Sequence, residues 1–352
     1  CTLWFFDRGK PADLLDSVLM IDARNVYTLV SARSHVFTDE QLANLSAITW
    51  LYRGENEKFV ELLGRYQAEV GDWLAALPAR LAADSSAVGA LADMLSELGK
   101  KTADAEVVAV LREKLGDEHG LSDDLLAGFR EELDRLQAHA DAWQATLQAA
   151  LDAAETLLPE IQRGAPGSTF APRKSLQASL EAVNPQVKAA LAALEARHKA
   201  WLKLLETAEK QLRARQWPGF VGETAREARK ALLPREVKKR EKPTVRDRAV
   251  EACKRASYFV AQGHWLLGRF PNGWYDDVPG LCKAVTQAEI AANDWSLTPG
   301  RYVGSAAAIL DDDDGEGFRA RMKEIHDELA DLNDTAGTLG TQIQAVLAEL
   351  VE

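Results

Sequence analysis

Sulfur is scarce in this chain. Its 352 residues include three cysteines, Cys1, Cys253 and Cys282, none near another. That spacing excludes a zinc knuckle or a disulfide framework and fits reduced thiols in a cytoplasmic protein. No run of 18 apolar residues occurs, so no membrane span is expected. The opening string CTLWFFDRGK has no basic stretch ahead of a long apolar core, so it is not a secretory signal. The six histidines are scattered, and no Ser/His/Asp or Cys/His set can be assembled. Positive charge is also in deficit. A formal net charge of −12 excludes generic nucleic-acid binding by the chain as a whole, although it leaves room for a local basic site.

What is present is an ordinary globular composition, 47% hydrophobic and 27% charged, in a length that suits two or three domains. Residues 2–6 and 18–22 are short apolar runs separated by a turn-rich link with Gly9 and Pro11, the pattern of strands covered on both faces. Two strands are too few for a stable sheet, so their partners are expected upstream of Cys1, and the chain reads as a fragment cut inside a sheet. Thr38 and Gln41 form a capping box before a helix that carries Leu42, Leu45, Ile48 and Tyr52, with Gly54 as its stop. A second helix follows through Phe59, Leu62, Leu63 and Tyr66, then an Ala/Leu-rich, irregularly helical stretch to about 120.

Two long seams come next. One alternates by three and four from Leu126 to Leu157, the other from Leu176 to Leu212, and Gly164, Ala165, Pro166, Gly167 and Ser168 break the helix between them. This predicts an antiparallel helical hairpin with arms of about 60 Å. Pro185 should kink or delay the second arm. His198 falls on its apolar seam and reads as a polar seam residue rather than a metal ligand, since no His or Cys lies at i±4. The string Asn184, Pro185, Gln186, Val187 sits inside this helical pattern.

The charge then inverts. Lys238, Lys239, Arg240, Lys242, Arg246 and Arg248 crowd one segment, with Lys254 and Arg255 beyond, and such clusters can contact phosphates. The same pattern also suits a solvated helix face. Residues 271–303 place Trp274, Tyr275, Trp295 and Tyr302 among turn residues, where large aromatics pin a loop to a neighbouring surface. Thr286 and Glu289 form a second capping box there. After an acidic linker at 311–314, the last helix carries a narrow seam that includes Met322, Ile325, Leu329, Leu332, Leu339, Ile343 and Val346. Such a seam suits packing on one or two partner helices.

Five strings, LWFFDRGK, VLMIDARN, ITWLYRG, GHWLLGRFPNGWYDDVPGLCK and NDWSLTPGRYVG, resemble the C-terminal part of the M (modification) subunits of type I restriction–modification systems. The resemblance covers about residues 1–60 and 230–352; the stretch between looks like a variable insertion. It implies an adenine-specific DNA methyltransferase that uses S-adenosylmethionine, works with a specificity (S) subunit and a restriction (R) subunit on double-stranded DNA, and packs its C-terminal helices on the S subunit. The parts of the family that do chemistry are missing here. No glycine-rich cofactor loop follows a strand. Gly164 to Ser168 has no strand before it, and Asn184 to Val187 lacks the second proline and the aromatic of the base-binding tetrapeptide. No catalytic, cofactor-binding or metal residue is therefore assigned.

The expected fold is mostly α, with a long helical hairpin, a C-terminal coiled-coil-like helix and a remnant strand pair from an α/β methyltransferase domain. The expected divisions are 1–35, 36–120, 121–217, 218–310 and 311–352. The alternative is a stand-alone helical scaffold with no DNA role.

Overall fold

The structure, a computed structural model, describes residues 3–31, 34–116, 121–163, 169–234 and 242–304. The described residues are mostly helical, as expected. The helices are α1 (Asp39–Tyr52), α2 (Asn56–Thr102), α3 (Ala105–Leu115), α4 (Asp123–Arg163), α5 (Phe170–Lys210), α6 (Gly222–Leu232), α7 (Val245–Arg269) and α8 (Gln287–Ala292). The strands are β1 (Ser17–Ile21), β2 (Thr28–Ser31), β3 (Ser34–Val36) and β4 (Cys282–Thr286).

Local sequence sets the helix starts. The capping box of Thr38 and Gln41 opens α1, and Gly54, at φ +73°, lies just past its end. The region that looks irregular in sequence is regular in space. α2 runs unbroken for 47 residues, about 70 Å, straight through Pro78. Its buried face includes Leu77, Leu81, Asp84, Val88, Leu91, Leu95 and Leu98, an unbroken four-three alternation in which one position is a carboxylate. α4 and α5 form the expected hairpin, each 41 residues long, and α5 continues through Pro185.

These three long helices share two cores. In the first, residues 59–81 of α2 meet Leu147 to Leu157 of α4, Leu176 to Leu194 of α5, and α7. In the second, Val88 to Leu98 meet Leu126 to Leu136 of α4, Trp201 to Leu212, and α6. α4 therefore runs antiparallel to both α2 and α5. At the junction of the cores lies a buried polar knot. Asp84 is fully buried; its Oδ1 is 2.6 Å from His198 Nε2, and its Oδ2 accepts from Arg197. His198 is thus a polar seam residue, and its partner is an acid on another helix. Among the described residues no cluster could hold a metal.

Elsewhere buried amides tie the helices together. Asn44 Nδ2 donates to Gln262 Oε1 (2.8 Å), and Gln177 Nε2 to the Val260 carbonyl (2.9 Å). At that second crossing a Cβ on Gly263 would fall 2.3 Å from Gln177 Oε1, so a larger residue there would push the Gln177 amide out of its place.

The strands depart from expectation in two ways. Residues 3–6 do not form a strand; Leu3, Trp4, Phe5 and Phe6 are exposed, and no strand among the described residues lies beside them to satisfy a ladder. β1 does form, and it finds a partner within this chain. β4 pairs with it antiparallel, Ser17 opposite Thr286 through to Ile21 opposite Cys282. β2 and β3 make a separate hairpin, braced by Tyr27 edge-on to His35 at 4.6 Å.

Candidate partner and nucleic-acid interface

The β1–β4 pair is the centre of a small clasp. Ladder bonds hold its middle and loop bonds its rim: the Asp22 amide donates to the Leu281 carbonyl (2.7 Å), and the Gly280 amide to the Val303 carbonyl (2.6 Å). Met20, Val285, Ile290, Tyr302 and Val303 form its core. Tyr52, at the end of α1, docks beneath. Its hydroxyl donates to the Ser17 carbonyl (3.0 Å), and its ring lies edge-on to Tyr275 at 5.6 Å. Arg53 pairs with Asp7, while Lys10 lies over the Tyr52 ring and donates to the Ser17 carbonyl.

These contacts join all five strings that carry the family resemblance. LWFFDRGK supplies Asp7 and Lys10, VLMIDARN supplies most of β1, and ITWLYRG supplies Tyr52 and Arg53. The long string supplies Tyr275 and the start of β4, and NDWSLTPGRYVG supplies Tyr302 and Val303. Segments almost 300 positions apart thus meet in one small unit, and sequence spacing alone gives no hint of that.

Of the four aromatics singled out by sequence, two are pins. Tyr302 is buried, and Tyr275 donates to Asp277 Oδ1 (2.9 Å), which also accepts from the Ala284 amide (2.9 Å). Burial raises the Tyr275 hydroxyl pKa. The acid pair Asp276 and Asp277 is accordingly turn chemistry. Trp274 and Trp295 face solvent, 58% and 62% exposed. Asp294 and Trp295 are consecutive non-glycine residues at φ +56° and +57°, a conformation costing each roughly 1–2 kcal/mol. On the clasp edge Arg24 grips Asp22 with Nε at 2.9 Å and Nη2 at 2.6 Å, and this pairing lowers the Asp22 pKa.

Glu289 closes the α8 end. It accepts from the Thr286 amide (2.9 Å) and from Lys283 Nζ (2.9 Å). The backbone bond first, then Lys283, lowers its pKa to about 2. Burial pushes the Cys282 thiol up to about 11 and that of Cys253 to about 12, so neither is poised as a nucleophile.

The basic run is only partly visible. Lys238, Lys239 and Arg240 lie outside the described residues, as do the helix 318–350 with Met322, Ile325, Leu329, Leu332, Leu339, Ile343 and Val346, the 311–314 linker and the 164–168 breaker. Lys242 is exposed just before α7, and Arg248 is exposed in its first turns. Arg246 is half-buried, 3.7 Å from Asp247. Lys254 pairs with Glu195 (3.0 Å), and Arg255 lies over Phe259 (4.7 Å) and near Glu40 (3.8 Å). Lys254 and Arg255 therefore bridge α7 to α5 and α1.

The molecule is thus a helical body bearing a clasp of gathered loops. Two curated proteins resemble it. Over 71 residues it is 41% identical to a type I restriction enzyme methylase subunit of Methanocaldococcus jannaschii, covering 20% of this chain and 12% of that protein. Over 51 residues it is 45% identical to a type I restriction enzyme methylase subunit of Haemophilus influenzae, covering 14% of this chain and 11% of that one. The matched stretches thus span about an eighth of those relatives. No family model and no solved structure matches. The similarity of this chain is to methylase subunits of type I restriction systems. No described helix is long and apolar enough to cross a membrane.

Proposed function

We propose that this chain is the C-terminal part of the adenine-N6 DNA methyltransferase subunit of a type I restriction–modification complex, and that it serves assembly with the specificity subunit, the restriction subunit and DNA. One observation carries the reading: the five family-like strings, scattered through the chain, converge on the clasp. A chain that retained them only as unrelated surface loops would have no reason to bring them into contact. The similarity to two methylase subunits supports it.

S-adenosylmethionine would serve the complete enzyme as methyl donor, but the described residues do not fit it. Such a cofactor needs a glycine-rich strand-to-helix turn with open amides. The junctions from β3 to α1 and from β4 to α8 have no glycine. Each is filled by its own capping box, with the Thr38 amide donating to Gln41 (3.0 Å) and the Thr286 amide to Glu289 (2.9 Å). We assign no methyl transfer to this segment alone.

The test is assembly. The chain mixed with a specificity subunit should co-elute with it, and Leu329→Ala with Leu332→Ala should abolish that, since truncating a leucine that a partner covers costs roughly 2–5 kcal/mol. Labelled S-adenosylmethionine with DNA should give no transfer. Failure to co-elute would return the chain to the scaffold alternative.

A further inference from the structure

We infer that the corner between α5 and α6 is a binding groove for the phosphate backbone of duplex DNA. This rests on the proposed DNA-linked role and adds a site that the basic run in the sequence does not mark.

The groove is about 540 Å³ and is lined by Glu209, Arg215, Phe220, Glu223, Arg226 and Arg229, with Gly222 in its wall. Its charge is unbalanced. Glu209, the more buried carboxylate, is shared between Arg229 and Arg215, the latter 3.6 Å away. One carboxylate cannot neutralise two guanidinium groups. Arg226 meets Glu223 at 3.0 Å, but both side chains are about 70% exposed, so solvent screens the pair and a stronger anion can replace the carboxylate. Between positions 209 and 230 there are six basic residues against three acidic ones, in a chain of net charge −12.

The chemistry of the lining selects the ligand. Guanidinium forks match phosphate oxygens in pairs, and three of them on one groove fit a line of phosphates better than a point charge. α6 starts in the groove wall, and Val221 gives it no side-chain cap, so the positive end of the helix adds to the arginines. The groove is only partly enclosed and far larger than a single phosphate, which suits a continuous backbone.

The experiment uses the full 352-residue chain and a mixed-sequence duplex in a salt series, read by fluorescence anisotropy. Arg215→Glu with Arg226→Glu changes side chains that are 77% and 69% exposed, so the fold should hold, as circular dichroism would check. Affinity should drop about tenfold, and the slope of log K against log salt should fall by about 1.8, at about 0.9 for each phosphate that is no longer neutralised. Lys58→Glu with Arg163→Glu makes the same charge change at the other end of the body, where α2 starts and α4 ends, and should leave the slope unchanged. Equal reductions in both variants would mean a net-charge effect and would overturn the site. So would full affinity in the arginine variant. If the wild-type chain binds no duplex yet still co-elutes with a specificity subunit, the groove inference falls while the assembly reading stands.

Discussion

Leu98, in the helical body, is wholly buried among three long helices, whereas Val285, equally buried in the clasp, shares its core with four other buried residues among those described. The body is held by repeated seam contacts along about 60–70 Å of helix, so its stability is spread over many similar positions. The clasp has five ladder pairs, a few loop bonds and one capping box. A two-stranded unit of that size is marginal on its own and depends on its footing, here Tyr52, Tyr275 and Cys282 at the edge of the first core. Stability and family resemblance therefore lie in different places: the long insertion-like hairpin supplies rigidity, and the family-like strings form the smaller, locally weaker unit.

The largest expected effect breaks the body at the buried Asp84 knot. Asp84→Ala leaves Arg197 and His198 buried without their carboxylate, at a cost of about 3–5 kcal/mol. Thermal or denaturant unfolding should show a single transition at much lower stability, with the clasp melting alongside the body. An Asp84→Ala chain as stable as the parent would mean that the knot is not what aligns α2 with α5.

A middle-sized effect separates the two regions. Val285→Ala removes two buried methyl groups, roughly 2 kcal/mol with the cavity left behind. Native-state hydrogen exchange should then show faster exchange of the β1 and β4 amides while α2 and α5 keep their protection. Equally faster exchange in both would show clasp and body to be one cooperative unit.

The smallest effect concerns the α8 cap. The folded Glu289 pKa lies below its ordinary 4.5, so its contribution is present above that pH and is lost as pH falls toward about 2. Carboxyl-carbon NMR should find a midpoint near 2, and Thr286→Ala should raise it toward 4.5. A wild-type midpoint near 4.5 would mean that the capping box does not form in solution.

Much of the body is legible in sequence, because helix seams are a local, periodic signal. The three-four alternation from Leu126 and from Leu176 translates directly into α4 and α5, and Thr38 and Thr286 announce their helices because a cap acts within three residues. α2 is harder. Its alternation carries Asp84 at a seam position, and a carboxylate there reads as a break until Arg197 and His198 are seen facing it. The strand expected at residues 2–6 fails for the converse reason. An apolar run states a preference for burial, but a strand also needs a neighbour for its backbone, and residues 3–6 have none among the described residues.

The lengths of α4 and α5, the caps, the hairpin and the resemblance carried by five strings can be read along the chain, because all of them depend on residues close in sequence. Long-range packing settled that β1 takes β4 as its partner, that Tyr275 and Tyr302 pin the loop while Trp274 and Trp295 stay in solvent, and that Arg215 meets Arg226 and Arg229 around one groove. Each of those outcomes depends on which surfaces meet when helices pack, and packing between distant residues leaves no periodic mark in either segment.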